Sequence, residues 1–232
     1  MEWFASHSLL CLLTLAALGT VFWAWRQRRR LDLRLHWVLL LSVLHVAVGV
    51  ACVKAFAILE AGSLSAAGNM SLFGAIFFLP LFYWLGAKLF RRRTADVFDV
   101  FTIPTVFTLA CARANCLITG CCLGRLIPGM QQRWPTREAE LVFYAVLLPC
   151  LIIHSKKKEA AGSLWPIYIA SYGAFRFAVE FFRESETAFL FHLSHLWAIL
   201  SLLIGVSVLL EQNRRKTTQS NHASFVHRRK RK

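Results

Sequence analysis

Two arginines stand inside stretches that are otherwise apolar. Arg113 lies in the run that ends CARANCLITGCCLG, and Arg176 lies in WPIYIASYGAFRFAVEFFRESE. A guanidinium cannot lose its proton in a protein, so each needs an anionic partner where water is scarce. In the second stretch Tyr172, Arg176 and Glu180 recur every four residues, with Arg183 one turn further. On a helix these share one face. Glu140 sits in the first turn of a helix that resumes after Pro135. An arginine with a glutamate four residues on can neutralise itself. Two intramembrane arginines at similar depth, among few acids, instead leave room for an exogenous anion. The planar fork of arginine suits bidentate phosphate recognition, and a lipid headgroup phosphate is always at hand in a membrane.

The cysteines are the second group able to do chemistry. There are seven. Cys11, Cys52 and Cys150 lie in apolar runs and read as small core residues. Cys111, Cys116, Cys121 and Cys122 cluster around the loop that interrupts the Arg113 segment. C-x4-C-C has neither the C-x-x-C spacing of redox and metal motifs nor a nearby histidine. A disulfide from Cys116 to Cys121 or Cys122 remains open on an oxidising outer face, and with it the reading of a membrane thiol oxidoreductase. His45, inside the second apolar run, is either a proton relay or a satisfied core histidine. His192 and His195 fall at the outer end of the last run, where interfacial solvation explains them. Trp3, Trp23, Trp25, Trp37, Trp165 and Trp197 fall near run ends, as an aromatic belt would.

These residues are carried by long, nearly uncharged runs. The chain has 232 residues, 57% of them hydrophobic, and a mean hydropathy of +0.52. Each run approaches the roughly 20 residues that cross a bilayer core. The expected fold is an all-α polytopic membrane helix bundle of about seven transmembrane helices. They lie near residues 3–25, 35–57, 70–89, 97–118, 138–154, 164–182 and 189–210, forming one domain over 1–211, with a basic tail at 212–232. The net charge is +15. The bases sit in short clusters between runs, at Arg28–Arg30, Arg91–Arg93, Lys156–Lys158 and in the tail. That is the pattern of cytoplasmic loops facing anionic lipid headgroups, and it argues against a nucleic-acid partner. It places the N-terminus outside and the C-terminus in the cytoplasm. At about 1.5 Å of rise per residue, Arg176 then stands roughly 18 Å and Arg113 roughly 24 Å from the cytoplasmic edge. Asp99 is too far along its helix to reach Arg113 and is expected to meet basic residues at its own level.

Several motifs resemble the bacterial prolipoprotein diacylglyceryl transferase family. Asp99 fits the aspartate that opens its fourth span, and Arg113 to Gly124 resembles its arginine-and-glycine signature in a Cys-Cys variant. Pro135, Thr136 and Glu140 resemble the head of its next span. Tyr172 to Glu184 is nearly verbatim its YGxFRFxVEFFRE segment, and Ser194 to Trp197 its last opening. The likeness covers about residues 68–210. Phe73, in SLFGA, stands where the family usually carries a histidine; Cys116 replaces its asparagine, and Arg137 and Ala139 replace a glutamine and a tyrosine.

The resemblance implies seven spans with the N-terminus outside, in the bacterial cytoplasmic membrane. It implies transfer of diacylglyceryl from phosphatidylglycerol to the N-terminal lipobox cysteine of a lipoprotein precursor. It points to Arg113, Arg176, Glu140 and Glu180 as catalytic residues, and to Gly120, Gly124, Tyr172 and Arg183 as further substrate-binding residues. It calls for no metal or organic cofactor. Because Phe73 has no proton to move, a relative that binds phospholipid or lipoprotein without chemistry is the competing expectation.

Overall fold

The computed structural model describes residues 2–157, 161–184 and 191–229. Helix α1, Glu2–Arg26, leads through the short α2, Arg28–Leu31, into α3, Leu35–Ala61. A 3-10 turn at Leu64–Gly68 precedes α4, Phe73–Phe77, and α5, Leu79–Leu89. Then come α6, Thr94–Thr119, α7, Thr136–Ser155, α8, Leu164–Glu180, and α9, Leu193–Arg229. Lys158, the expected start of the last span at Phe189, the Trp3 side chain and the basic side chains at 228–232 lie outside the described residues.

Five segments are long and apolar enough to cross a membrane: His7–Arg26, Leu35–Ala61, Thr94–Thr119, Thr136–Ser155 and Leu193–Thr218. The protein is a polytopic helical membrane protein. The expected third run is helical in two pieces, broken at Phe78. Pro80 follows the break; it has no N–H to return to the Ile76 carbonyl, so the helix restarts there. Helix α9 passes residue 211 without interruption, and Gln212 donates a hydrogen bond to the Gly162 carbonyl at 2.8 Å. Helices α8 and α9 pack closely, because a Cβ on Gly173 would stand 2.6 Å from the Ala198 carbonyl oxygen and one on Gly205 2.7 Å from that of Pro166. Small residues permit such backbone approach where lipid is as apolar as leucine.

The centre is aromatic. Tyr83, Tyr144, Tyr168 and Tyr172 are fully buried, with Phe56, Phe73 and Trp165 among them. Trp165 is therefore core, not belt. Trp23 and Trp197 also pack against the core, Trp197 edge-on to Phe56, while Trp25 and Trp37 stay exposed. Cys11 and Cys150 lie on the outer surface and Cys52 is half-buried, against the core placement expected from their apolar runs. The physical reason is common to both corrections: an apolar run looks the same whether a face meets lipid or protein. His45 is a satisfied core histidine. Its Nδ1 lies 3.1 Å from the Tyr83 hydroxyl, which lies 2.8 Å from the Thr105 hydroxyl, and Thr105 donates to the Phe101 carbonyl.

At the N-terminal end of α6, Asp99 joins three elements. It accepts a 2.6 Å bond from Arg30 and the backbone N–H groups of Gly162 at 2.6 Å and Leu164 at 3.2 Å. Leu164 is an open donor in the first turn of α8, and Gly162 immediately precedes its N-cap. Arg30 also pairs with Asp96 at 3.0 Å. Asp99 thus meets a basic residue at its own level, and it anchors the helix that carries Arg176.

Candidate active site

The C-terminal end of α6, the head of α7 and the C-terminal half of α8 converge on one buried ion cluster. Glu140 is 1% exposed. One of its oxygens pairs with Arg113 Nε; the other takes Arg176 Nη1 at 3.0 Å and Arg183 Nη1 at 3.2 Å. Glu180 pairs with Arg176 Nη2 at 2.6 Å and with Arg183 Nε at 3.9 Å. The Arg176–Glu180 contact is the self-neutralisation that their spacing allows. It leaves the cluster unbalanced: three guanidinium groups face two carboxylates, so one positive charge is in excess. A buried excess charge requires a counter-ion from elsewhere.

The excess faces open space. A cavity of about 550 Å³ is lined by Arg113, Arg176, Arg183, Tyr172 and Phe73, together with Cys116, Cys121, Cys122, the segment 68–72 and, from the end of α3, Glu60. Glu140 and Glu180 are not on its wall; they stand behind the guanidiniums and fix their orientation. The Phe73 ring lies 5.8 Å from Tyr172, and the Arg176 guanidinium sits 5.9 Å above it. A desolvated guanidinium gains from such an aromatic face. Phe73 therefore holds an arginine, although it cannot move a proton. Ser8 of α1 donates to Asn115 Oδ1 at 2.7 Å, tying α1 to the Arg113 helix.

Arg183 is positioned by the loop between α6 and α7. Gly120 ends α6 in the left-handed conformation, φ +73°, as helix ends favour. The loop then pairs with the residues after α8. Gly124 bridges Arg183, Arg125 N–H bonds the Phe182 carbonyl at 2.9 Å, and Trp134 packs on Phe182 with centroids 4.6 Å apart. A Cβ on Gly124 would stand 2.1 Å from the Trp134 carbonyl oxygen. Gly120 and Gly124 thus shape the loop and are not among the residues lining the cavity.

All seven cysteines are free thiols among the described residues. Yet the Cys116, Cys121 and Cys122 sulfurs lie within 4.8 Å of one another, with Cys116 and Cys122 at 3.9 Å. The sequence left open a pairing of Cys116 with Cys121 or Cys122, but not the meeting of all three sulfurs. Cys122 sits at φ +58°, a left-handed conformation that turns its side chain back toward α6.

One further residue escaped the sequence reading, and another was misplaced by it. Tyr144 lies one helical turn after Glu140, fully buried, with its hydroxyl unpartnered; the four-residue spacing from Glu140 was the available signal. His195 is 1% exposed, not solvated at an interface. Phe177, Phe181 and Phe191 enclose its ring, and its Nδ1 accepts the His192 N–H at 3.1 Å. The pocket is closed by Phe177 and Phe181, four positions apart at the end of α8, and by Phe191, four positions before the histidine, which residue type alone did not reveal.

Fold and site together define a multi-pass membrane protein with a buried, net-cationic arginine cluster opening on a cavity. The chain belongs to the prolipoprotein diacylglyceryl transferase family, whose sequence model matches residues 3–211. The match runs through the first two helices, beyond the 68–210 that the motifs covered. Among similar proteins, a phosphatidylglycerol–prolipoprotein diacylglyceryl transferase of Dehalococcoides mccartyi (strain BAV1) is 23% identical over 223 residues, 86% of this chain and 85% of the relative. One from strain 195 of the same species is 23% identical over 237 residues, covering 90% and 91%. One from Mannheimia succiniciproducens is 32% identical over 131 residues, covering 51% and 48%.

Proposed function

We propose that the protein transfers a diacylglyceryl group from phosphatidylglycerol to the cysteine thiol of a lipoprotein precursor. The observation that carries this is the unbalanced cluster: three guanidiniums against two carboxylates, with the arginines on a cavity wall. The lipid phosphodiester supplies the missing negative charge. Attack by the thiolate on the glyceryl carbon forms a C–S bond and breaks the C–O bond to phosphate. The electron pair leaves with glycerol phosphate, whose charge grows as it departs. Fixed guanidiniums stabilise that growing charge without reorganising. Glu140 and Glu180 act by holding the forks in place. Tyr172 and Phe73 form the apolar side of the same wall.

The wider setting follows from the charge pattern and the family. The chain spans the bacterial cytoplasmic membrane seven times with its N-terminus outside. The precursor presents an N-terminal lipobox cysteine, and the basic loops and tail meet anionic lipids. Reporter fusions after Gly62 and Met130 are expected to read outside, and those after Arg30 and Arg93 inside. An inside reading at Met130 removes the site from the face where precursors emerge.

The deciding assay is transfer from labelled phosphatidylglycerol to a lipobox peptide by the purified protein. Phe73 on the cavity wall favours one second reading, a relative that binds phosphatidylglycerol without chemistry. Lipid binding with no transfer under any condition selects that reading.

A further inference from the structure

Cys116 lies in the last turn of α6, and Cys121 and Cys122 follow the Gly120 cap. The left-handed turns at Gly120 and Cys122 fold the chain back, so that three thiols from one reversal point at a common centre. A metal ion bound to sulfur at about 2.3 Å holds its ligand sulfurs about 4 Å apart. The Cys116 and Cys122 sulfurs already stand 3.9 Å apart, and all three lie within 4.8 Å. Three soft donors with no histidine or carboxylate among them suit a zinc-class ion. Arg113 and Arg183 line the same cavity.

We infer that Cys116, Cys121 and Cys122 form a three-thiolate site for a zinc-class ion, whose fourth coordination position faces the cavity and takes the thiol of the incoming substrate. Three protein ligands plus an open position are the arrangement of reactive zinc, as distinct from structural zinc. All three cysteines line the cavity that the arginines line. The substrate-thiol role rests on the transferase reading; the metal site does not. That reaction requires a thiolate. Both carboxylates of the cluster are engaged by guanidiniums, the position facing Arg176 is a phenylalanine, and the cavity's remaining carboxylate is Glu60, at the end of α3. A thiol that coordinates zinc is deprotonated outright. The substrate S–H bond breaks on coordination and its proton passes to solvent. The bound sulfur keeps the electron pair and donates it to the glyceryl carbon as the C–O bond breaks toward phosphate. The ion undergoes no redox change, and the thioether product, a weaker ligand, dissociates.

The test uses the reduced, metal-free full-length protein in nanodiscs, titrated with Co²⁺ as the optical stand-in for Zn²⁺. One equivalent is expected to produce a thiolate-to-cobalt charge-transfer band that one equivalent of Zn²⁺ abolishes. Cys116→Ser, Cys121→Ser and Cys122→Ser should each weaken binding by about tenfold or more, while Cys150→Ser leaves it unchanged. Zn²⁺ should raise the Tm of the parent and not of the three Ser variants, which separates lost ligation from misfolding. No band, or the same band in all three Ser variants, overturns the site, as does uptake of Cu⁺ alone. A lipobox peptide should then strengthen the band and release one proton, whereas the same peptide with serine for cysteine should not. An unaltered band overturns the substrate-thiol role. Phosphatidylglycerol transfer is measured in parallel. A protein that gives the band and the peptide response without transfer keeps the metal site and loses the transferase reading.

Discussion

Helix α6 carries a buried ion network at each end, and the two differ in one respect. At its N-terminal end Asp99 and Asp96 are met by Arg30, with Arg93 at 3.7 Å from Asp96. Charges balance there, and Asp99 is saturated by two backbone N–H groups as well. At its C-terminal end Arg113 joins Arg176 and Arg183 around Glu140 and Glu180, and one positive charge is left over. The first network has nothing to offer a ligand; it locks α6, α8 and the α1–α3 connection together. The second faces a cavity with its surplus. A buried arginine is therefore not by itself a sign of function: the count of opposite charges around it, and whether it meets open space, decide.

The largest expected effect breaks the surplus. Arg113→Ala and Arg176→Ala should each lower the transfer rate by about 10² to 10³, read in the labelled-lipid assay. Lysine at either position should restore only part, since a point charge replaces a planar fork. Full activity in both alanine variants would mean that the cluster is as structural as the Asp99 network.

The balanced network should respond in the opposite way. Asp99→Ala leaves Arg30 without its closest partner and the start of α8 uncapped. Breaking such a buried pair destabilises by about 3–5 kcal/mol. Denaturation should show that loss, while the correctly folded fraction turns over normally. Lost turnover at unchanged stability would put Asp99 in the chemistry and dissolve the contrast.

The smallest effect sharpens the site. Phe73→His places a proton-moving ring beside Arg176 and Tyr172, and the transfer rate should rise several-fold. That is below the roughly 10² to 10⁴ of full general acid–base help, because the cation–π seat of Arg176 is lost. Phe73→Ala should not raise the rate. A parent that binds phosphatidylglycerol yet is inactive, and stays inactive as Phe73→His, points to the binding reading.

Much of this was legible in the chain itself. Apolar runs, interrupted by clustered bases, are enough to specify a membrane bundle, because a bilayer tolerates little else. The Tyr172–Arg176–Glu180–Arg183 stripe was readable because helical periodicity makes one face out of every third or fourth residue. Asp99 was separable from Arg113 by rise per residue alone. What the residues could not state was which apolar face meets lipid. Cys11 and Cys150 face outward and Trp165 inward, from runs of similar hydropathy. Nor could they state stoichiometry. The surplus charge depends on Glu140 reaching three arginines from two other segments, and only packing fixes that number. The cysteine triad is the sharpest case. Its spacing matches no ligand motif, and the sulfurs meet because a helix cap and one left-handed residue reverse the chain, which is a property of backbone dihedrals and not of residue order.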